Sequence, residues 1–439
     1  MKKTAKLLLF KAMLCIALLA FYGPAAAAEG PGAKDVKFTP SLKFSWFDIL
    51  RFENKTYPGF VKDGPGKRNF WFNLSKLSAE QSLSPECTLN FGVRDFRFFD
   101  RQPASNAGIS MTNFELSLLN LRFEEFLGNK RLKATIGLQE SVCKECRVMG
   151  LGNWIIGRLW QGVRLTYYDT PAETLDFFNF EQKRADNDPP SQSRGFYYFN
   201  EKKGCEIYIM NKVDRRGTAG EIPGRTPGNI DIKTLGYKQN VNFSNRLQAK
   251  LEAAAQLGSY GPDDHSARAF HAQIKYSTLS RSKYAVTLEY NEASGDDAPN
   301  DGKHGTFDNL YPANYGKYGY MDYMSWQNMK QICLSNSFAL PKGFTARINL
   351  HRFTLASASD GWYNSYLVSQ ARDATGAAGK DIGSEINFII SKKVDDSTDI
   401  EFGTSRFDPG SYIRNINAPG KEITKVTWTF FQLTKKASF

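Results

Sequence analysis

The carboxy-terminal stretch from Lys425 to Phe439 constrains this chain more than any other. Counted back in twos, Phe439, Ala437, Leu433 and Phe431 share one side with Lys435 as the exception, while Ser438, Lys436, Thr434 and Gln432 share the other. A period of two with one apolar face is the pattern of a half-buried strand. Such a strand leaves a row of amides and carbonyls to be paired, and inside a membrane the solution is a closed barrel whose last strand meets its first. The rest of the chain must then supply the other strands.

It supplies them at regular intervals. From Lys37 to Glu53, Phe38, Leu42, Phe44, Trp46, Leu50 and Phe52 alternate with Lys37, Thr39, Ser41, Lys43, Ser45, Arg51 and Glu53, and Phe47 and Ile49 break the rule. Phe70, Phe72 and Leu74 alternate with Trp71, Asn73 and Ser75, which places the first set toward lipid. Cys87, Leu89, Phe91 and Val93 repeat the pattern. Phe114, Leu116 and Leu118 change parity to Leu119, Leu121 and Phe123, as a bulge requires. Leu132, Ala134, Ile136 and Leu138 oppose Arg131, Lys133, Thr135, Gly137 and Gln139, and Leu159, Val163, Leu165 and Tyr167 oppose Arg158, Gly162, Arg164 and Thr166. Further strands are expected at 174–184, 194–201, 205–214, 229–239, 246–257, 267–278, 282–293, 322–339, 344–355, 381–392, 399–408 and 424–439. The total is about 18, an even number as in single-chain bacterial barrels.

The connections sort in the same way. Gly128-Asn129, Lys202-Lys203-Gly204 and Leu340-Pro341-Lys342-Gly343 are short, whereas 142–157, 214–228, 295–321, 356–380 and 409–423 are long. Short periplasmic turns and long extracellular loops distinguish a membrane barrel from a water-soluble sandwich. No linker or low-complexity tract marks a second domain, so residues 29–439 read as one barrel.

The first 28 residues read as a secretory signal. Lys2, Lys3 and Lys6 precede an apolar middle from Leu7 to Phe21, interrupted by Lys11, and Ala26-Ala27-Ala28 before Glu29 offers a cleavage site. Removing its four lysines leaves 53 basic and 45 acidic residues, a net of +8. That modest excess favours anionic partners, and export excludes nucleic acid. No later run approaches the roughly 18 apolar residues of a membrane helix, and mean hydropathy is -0.45. A barrel tolerates such an average because alternate residues face lipid. The aromatic share of 14% fits interfacial girdles.

If the apolar positions face lipid, the opposite ones line a lumen. This register puts Arg51, Arg94, Arg122, Arg131, Lys133, Arg158, Arg164, Arg246, Lys250, Lys275, Lys283 and Arg347 inside, against Glu53, Glu124, Glu252, Glu289, Glu385 and Glu401. Bases therefore outnumber acids about two to one, and such a pore lowers the energy of an anion and raises that of a cation. Arginine also holds carboxylate or phosphate in a bidentate grip. The plainer reading is that these charges pair with one another and keep the lumen wet. Trp160 is read as bulk filling or girdle before sugar stacking.

Other motifs carry less. Cys143-Lys-Glu-Cys146 lacks a partner pair for zinc and a histidine for haem, and in an oxidising compartment it reads as a loop disulfide. The loop from Glu292 to Asp322 holds Asp296, Asp297, Asp301, Asp308 and Asp322 without calcium-loop spacing, and reads as solvated. His265, His271, His304 and His351 form no zinc-protease motif, and neither a nucleophile elbow nor a phosphate loop is present. No metal, cofactor or catalytic residue is assigned.

The terminal Phe439 resembles the sorting signal of bacterial outer-membrane barrels. Several stretches together resemble the alginate export family. These are Gly137-Leu-Gln-Glu140, Arg147-Val-Met-Gly150, Trp154 and Gly157-Arg158-Leu-Trp-Gln-Gly162-Val-Arg-Leu165. Farther on come Ala293-Ser-Gly-Asp296, Thr306-Phe-Asp308 with Leu310-Tyr-Pro312, Gly319-Tyr-Met-Asp322 with Trp326-Gln-Asn328, Asp360-Gly-Trp-Tyr363, Gly383-Ser-Glu-Ile-Asn387 and Phe407-Asp-Pro-Gly410. The resemblance implies an 18-stranded barrel with an arginine-rich lumen that passes a polyuronate outward, with Arg147, Arg158 and Arg164 as matched bases and Glu385 as matched acid. Leu138 stands where the family has Arg, and Trp160-Gln161 where it has Phe-Asp. The gap from Val394 to Thr398 is also shorter than the periplasmic turn that alginate exporters share.

The expectation is a transmembrane antiparallel up-and-down barrel in the bacterial outer membrane that contacts lipid and conducts an anionic, carbohydrate-derived solute or polymer, with periplasmic secretion components as partners. The alternatives are a general porin for small anions and, as an outsider, a hydrolase on a barrel scaffold.

Overall fold

The structure is a computed structural model that describes residues 39–62, 64, 66–99, 114–140, 143–144, 147–150, 157–170, 172–183, 191–219, 227–279, 283–417 and 419–439. The predicted signal segment, Trp154 and Cys146 lie outside these residues, and with Cys146 goes the predicted disulfide.

The strands are β1 (Leu42–Thr56), β2 (Lys67–Ser82), β3 (Cys87–Phe99), β4 (Phe114–Phe123), β5 (Leu132–Gln139), β6 (Trp160–Thr170), β7 (Glu173–Gln182), β8 (Gln192–Asn200), β9 (Cys205–Ala219), β10 (Gly228–Asn242), β11 (Leu247–Tyr260), β12 (Asp263–Ser277), β13 (Ala285–Ala293), β14 (Lys303–His304), β15 (Met329–Ala339), β16 (Phe344–Thr354), β17 (Gly361–Tyr363), β18 (Ser369–Arg372), β19 (Asp381–Lys393), β20 (Thr398–Pro409) and β21 (Val426–Ser438). β14, β17 and β18 belong to loops. The other 18 form one antiparallel sheet in which each strand pairs with its neighbour and β21 returns to β1, Ser45 opposite Ser438 and Lys55 opposite Trp428. The terminal strand therefore closes the barrel, and no open edge remains.

Cross-strand partners share a face, so one inward residue fixes the parity of the wall. Along β10 to β12, Thr234, Lys238, Glu252, Gln256 and His271 are buried inward, while Leu235, Tyr237, Leu251, Leu257 and Phe270 are exposed outward. That outward row is the apolar surface a membrane barrel presents. The parity change predicted in β4 is a bulge: Leu118 faces Gly92 and Leu116 faces Val93, leaving Ser117 unpaired.

Two readings need correction. Phe70, Phe72 and Leu74 do not face lipid: they lie opposite Glu53, Arg51 and Ile49, on the inside, and with Phe96 form an apolar cluster there, against which Phe47 and Phe98 pack. Trp71 and Phe99 take the outward face. Phe47 and Ile49, which broke the alternation of β1, belong to this cluster. The strand expected from residue 322 begins at Met329, because 322–328 still belong to the preceding loop.

Candidate functional site: a lumen filled by a loop

The segment between β13 and β15, residues 294–328, turns inward. Phe307, Leu310, Tyr311, Tyr318, Tyr320, Met321, Tyr323, Met324 and Trp326 are buried in a core continuous with inward residues of the wall such as Phe180, Phe353, Phe407 and Phe430. The aspartates had suggested a solvated loop, but a segment with tyrosines at 311, 315, 318, 320 and 323 has too much aromatic surface to leave in water. That aromatic density was the signal available in the sequence.

Most of the bases singled out in the sequence are held by this loop or by a neighbouring acid. Arg51 is fully buried. It donates to Glu53 at 2.8 Å, to the Tyr315 hydroxyl at 2.9 Å and to Gln432 at 3.0 Å, with its guanidinium 3.7 Å from the Phe430 ring centroid. Arg94 pairs with Glu115 at 2.6 Å and donates to the Gly157 carbonyl. Arg164 pairs with Asp176 at 2.5 Å, and Thr166 donates to the same carboxylate. Lys133 pairs with Glu124 at 2.6 Å. Lys250 lies on the inner face opposite Gln273.

Arg147 anchors the loop from the opposite side. Its guanidinium donates to Glu289 at 3.0 Å and Tyr318 at 3.2 Å and lies 3.8 Å from Glu252, whose other oxygen accepts the Arg147 backbone N–H. Burial pushes its pKa down, but Tyr318, Glu289 and Glu252 more than offset this and raise it. Burial in turn raises the Tyr318 hydroxyl. A charge so placed keeps its proton and holds the loop to the wall.

Glu385 acts on the loop backbone. Its carboxylate accepts the N–H groups of Tyr320 at 2.7 Å and Met321 at 3.2 Å. The approach depends on Gly319, whose φ of +86° suits glycine and where a Cβ would meet the carboxylate at 2.5 Å. Lys55 donates to the Met321 carbonyl, and Lys212 pairs with Asp308 at 2.6 Å. Spacing alone could not have revealed the Lys212, Tyr315 and Tyr320 contacts, because each joins segments distant in the chain.

Arg158 and Arg347 differ from the rest. Arg158 donates to the Pro312 carbonyl at 2.5 Å, and Arg347 to the Tyr320 hydroxyl at 3.0 Å. Among the described residues no carboxylate pairs with either. Burial pushes Arg158 down to about 10, which still leaves it charged at neutral pH.

Arg131 is a correction. It pairs with Asp169 at the short-turn rim, with both side chains more than half exposed, because the β4–β5 turn ends there and its side chain leans toward β6. The inner face also holds charges of both signs that the sequence reading left out, among them the bases Lys43, Lys76, Lys212 and Lys238. Register puts Glu80, Glu115, Asp176, Glu206 and Asp214 on the inner face as well, several of them paired with the cations already named. They went unassigned because their strands have apolar residues on both faces.

The loop ends are tied together on the long-loop side. Asn328 donates to the carbonyls of Ser357 and Gly361. Asp360, fully buried, accepts the Asp296 N–H and the Thr306 hydroxyl and pairs with Arg372 at 2.7 Å. The barrel is therefore an inner wall of fixed charges closed by a segment that those charges hold in place. Among the described residues no group of three or more candidate ligands could hold a metal ion.

The alginate export family model matches residues 89–426, well over half of the chain. No curated protein matches the sequence. Solved structures with the same fold include OccAB4 of Acinetobacter baumannii (TM-score 0.60, 10% identity, covering 91% of this chain and 98% of that one). They also include OccK5 (OpdH) of Pseudomonas aeruginosa (0.58, 10%, 91% and 98%) and the outer membrane protein OprD of the same organism (0.57, 10%, 91% and 94%). With the closed 18-stranded sheet and the match across most of its length, the chain is an outer-membrane β-barrel that belongs to the alginate export family.

Proposed function

We propose that the barrel conducts an anionic, carbohydrate-derived solute or polymer along its inner wall, reached after export by a cleaved amino-terminal signal. The observation that supports this most directly is the pair Arg158 and Arg347. Both reach the inward-folded loop, and among the described residues both lean on neutral oxygens instead of carboxylates. Arg158, half-buried, gains more from an arriving carboxylate than a guanidinium already paired, because the anion offsets a desolvation cost that the neutral oxygen does not, and Arg347 presents an exposed guanidinium on the inner face. The weak neutral contacts also suit conduction, which fails if any one site binds too tightly. Arg51, Arg94, Arg147 and Arg164 then serve first to shape the lumen and secondarily to set its potential.

The test is ion selectivity in planar bilayers. The wild type is expected to prefer anions, and Arg158→Ala with Arg347→Ala to lower that preference more than Lys133→Ala, which removes one partly exposed member of a pair. A cation-selective wild-type pore overturns the proposal.

A second reading, a general porin for small anions, is favoured by one feature. The β19–β20 connection is a tight turn closed by Val394 N–H donating to the Thr398 carbonyl at 2.9 Å, with Lys393 paired to Asp396 at its exposed surface. It contributes nothing to the lumen, where a longer turn could meet a polymer from below. Block of the current by added oligouronates supports the polymer channel; free passage without block supports the porin.

A further inference from the structure

The loop that fills the lumen is fastened to the wall by two histidines that the anion reading does not use. Near its start, β14 runs parallel to the first residues of β12, with Lys303 opposite Asp264 and His304 opposite His265, and the Asp264 N–H donates to the Gly302 carbonyl at 3.0 Å. The Nδ1 atoms of His265 and His304 lie 2.8 Å apart, and both side chains are buried. The His304 ring lies flat on Tyr260 of β11, centroids 3.9 Å apart at 4°.

The surrounding hydrogen bonds assign the protons. The Asp308 N–H donates to Gln256 Oε1 at 2.8 Å, which fixes that atom as an acceptor, while Gln256 Nε2 donates to the Asp308 carbonyl and the Thr234 hydroxyl. His265 Nε2 lies 3.1 Å from the same Oε1 and therefore carries a hydrogen. In the neutral ring this leaves a lone pair on His265 Nδ1, so His304 Nδ1–H is the donor across the contact. The two ends of the connection run from Asp308 through Gln256 and His265 to His304, and both ends belong to the loop.

We propose that this contact is a proton-sensitive latch that holds the loop in the lumen at neutral pH and releases it in acid. A proton taken from water by His304 at Nε2 leaves the Nδ1–H donor in place but puts a charge in a buried site, so it weakens the latch without breaking the contact. A proton taken by His265 at Nδ1 removes the acceptor and sets two N–H groups of two cations against each other at 2.8 Å. The groups that face the pair are Tyr260 and Gln256 from β11, Lys212 from β9, Asp296 and Asp308 from the same loop, and Asp360 and Arg372 from the next, while Asp264 and Lys303 lie on the exposed side. Burial outweighs the nearby aspartates and holds His304 down to about 4. A base held below its ordinary value favours the docked loop while neutral. That contribution is complete above the usual histidine range, about 6.5, and is lost as pH falls toward 4.

The inference requires that the barrel conduct, and is indifferent to the identity of the solute, so potassium chloride suffices as the probe. Single-channel open probability of the full-length protein is measured in planar bilayers at about pH 7.5 and about pH 4. The wild type is expected to rise on acidification by at least about fivefold, the low end of a typical coupling between sites. His304→Phe keeps the ring on Tyr260 but breaks the latch, so its open probability at neutral pH should exceed that of the wild type and should not rise on acidification. Asp264→Cys with Lys303→Cys places thiols at paired positions of β12 and β14. When oxidised it should suppress the acid response, and a reductant should restore it. Heat-modifiable migration in detergent gels confirms that each variant is a folded barrel. Equal pH responses in wild type and His304→Phe, or an acid response that survives the oxidised crosslink, overturn the latch. A barrel that conducts but prefers cations overturns the proposed function and leaves the latch standing.

Discussion

Two flanks of the lumen are built on opposite principles. On β1 to β3 the inner wall carries an apolar cluster: Ile49, Phe70, Phe72, Leu74 and Phe96 pack with Phe47 and Phe98, and rings such as Phe96 and Phe98 meet edge-on at 4.9 Å. On β9 to β13 the inner wall is polar and paired. Lys238 meets Glu206 at 3.0 Å with both side chains almost fully buried, Tyr197 donates to Glu206 and Tyr208 to Glu252, and His271 contacts Asn291. The first flank is stabilised by area removed from water and by ring geometry, both insensitive to pH and salt. The second exchanges solvation for geometry: its groups are costly to bury and tolerable because each finds a partner. Arg147, from the β5–β6 connection, is held by Glu252 and Glu289 of the polar flank, and the Arg51–Tyr315 contact sits at the edge of the apolar one.

The comparison is tested most severely by truncating one member on each side. Phe72→Ala removes a ring with no exposed surface and should cost about 3–5 kcal/mol, read as a lower urea midpoint of the refolded barrel at any pH. Lys238→Ala strands the Glu206 carboxylate and should cost about the same. A loss in Lys238→Ala far smaller than in Phe72→Ala would mean that the polar flank does not depend on its pairing. A sharper form replaces the pair together, Lys238→Met with Glu206→Leu. Exchange of a buried ion pair for apolar groups of similar size is neutral or stabilising by about 1–4 kcal/mol, so a large loss there would show that the pair contributes more than its own satisfaction.

The flanks also explain what could be read from the sequence. Parity along β10 to β12 was legible because lipid imposes an apolar outward row and the lumen there is polar, so a period of two separates them. On β2 the same rule gave the wrong face. Phe70, Phe72 and Leu74 are the more apolar set, but Trp71 and its neighbours are outward, and a flank with apolar residues on both sides carries no alternation that tells lipid from lumen. The interruptions at Phe47 and Ile49 were the visible trace of the inner cluster. The closing strand was legible for the opposite reason, since Phe431, Leu433 and Phe439 face outward against polar Gln432 and Thr434. The partners of the candidate bases were not legible, because Tyr315 and Pro312 come from a loop 264 and 154 residues away from Arg51 and Arg158.

The smallest effect expected concerns the point where the loop passes between the flanks. Asp322 sits in that loop, near Lys55 and Glu53, and burial raises its carboxyl to about 6 against the pull of the Lys55 ammonium. An acid whose pKa is raised in the docked state favours docking when protonated. Its contribution is complete below the ordinary aspartate value, about 3.8, and is lost as pH rises through 6. The sign is opposite to that of the histidine latch, so the two must be separated. In a His304→Phe background, open probability should increase from about pH 5 to about pH 7.5 as Asp322 ionises, and Asp322→Asn should flatten that rise. After allowance for partial exposure, the change is on the order of 1 kcal/mol. If the rise persists in Asp322→Asn, the pH response of the loop belongs to another carboxylate. One candidate is then Glu385, which holds the Tyr320 and Met321 amides just before Asp322 in the same segment.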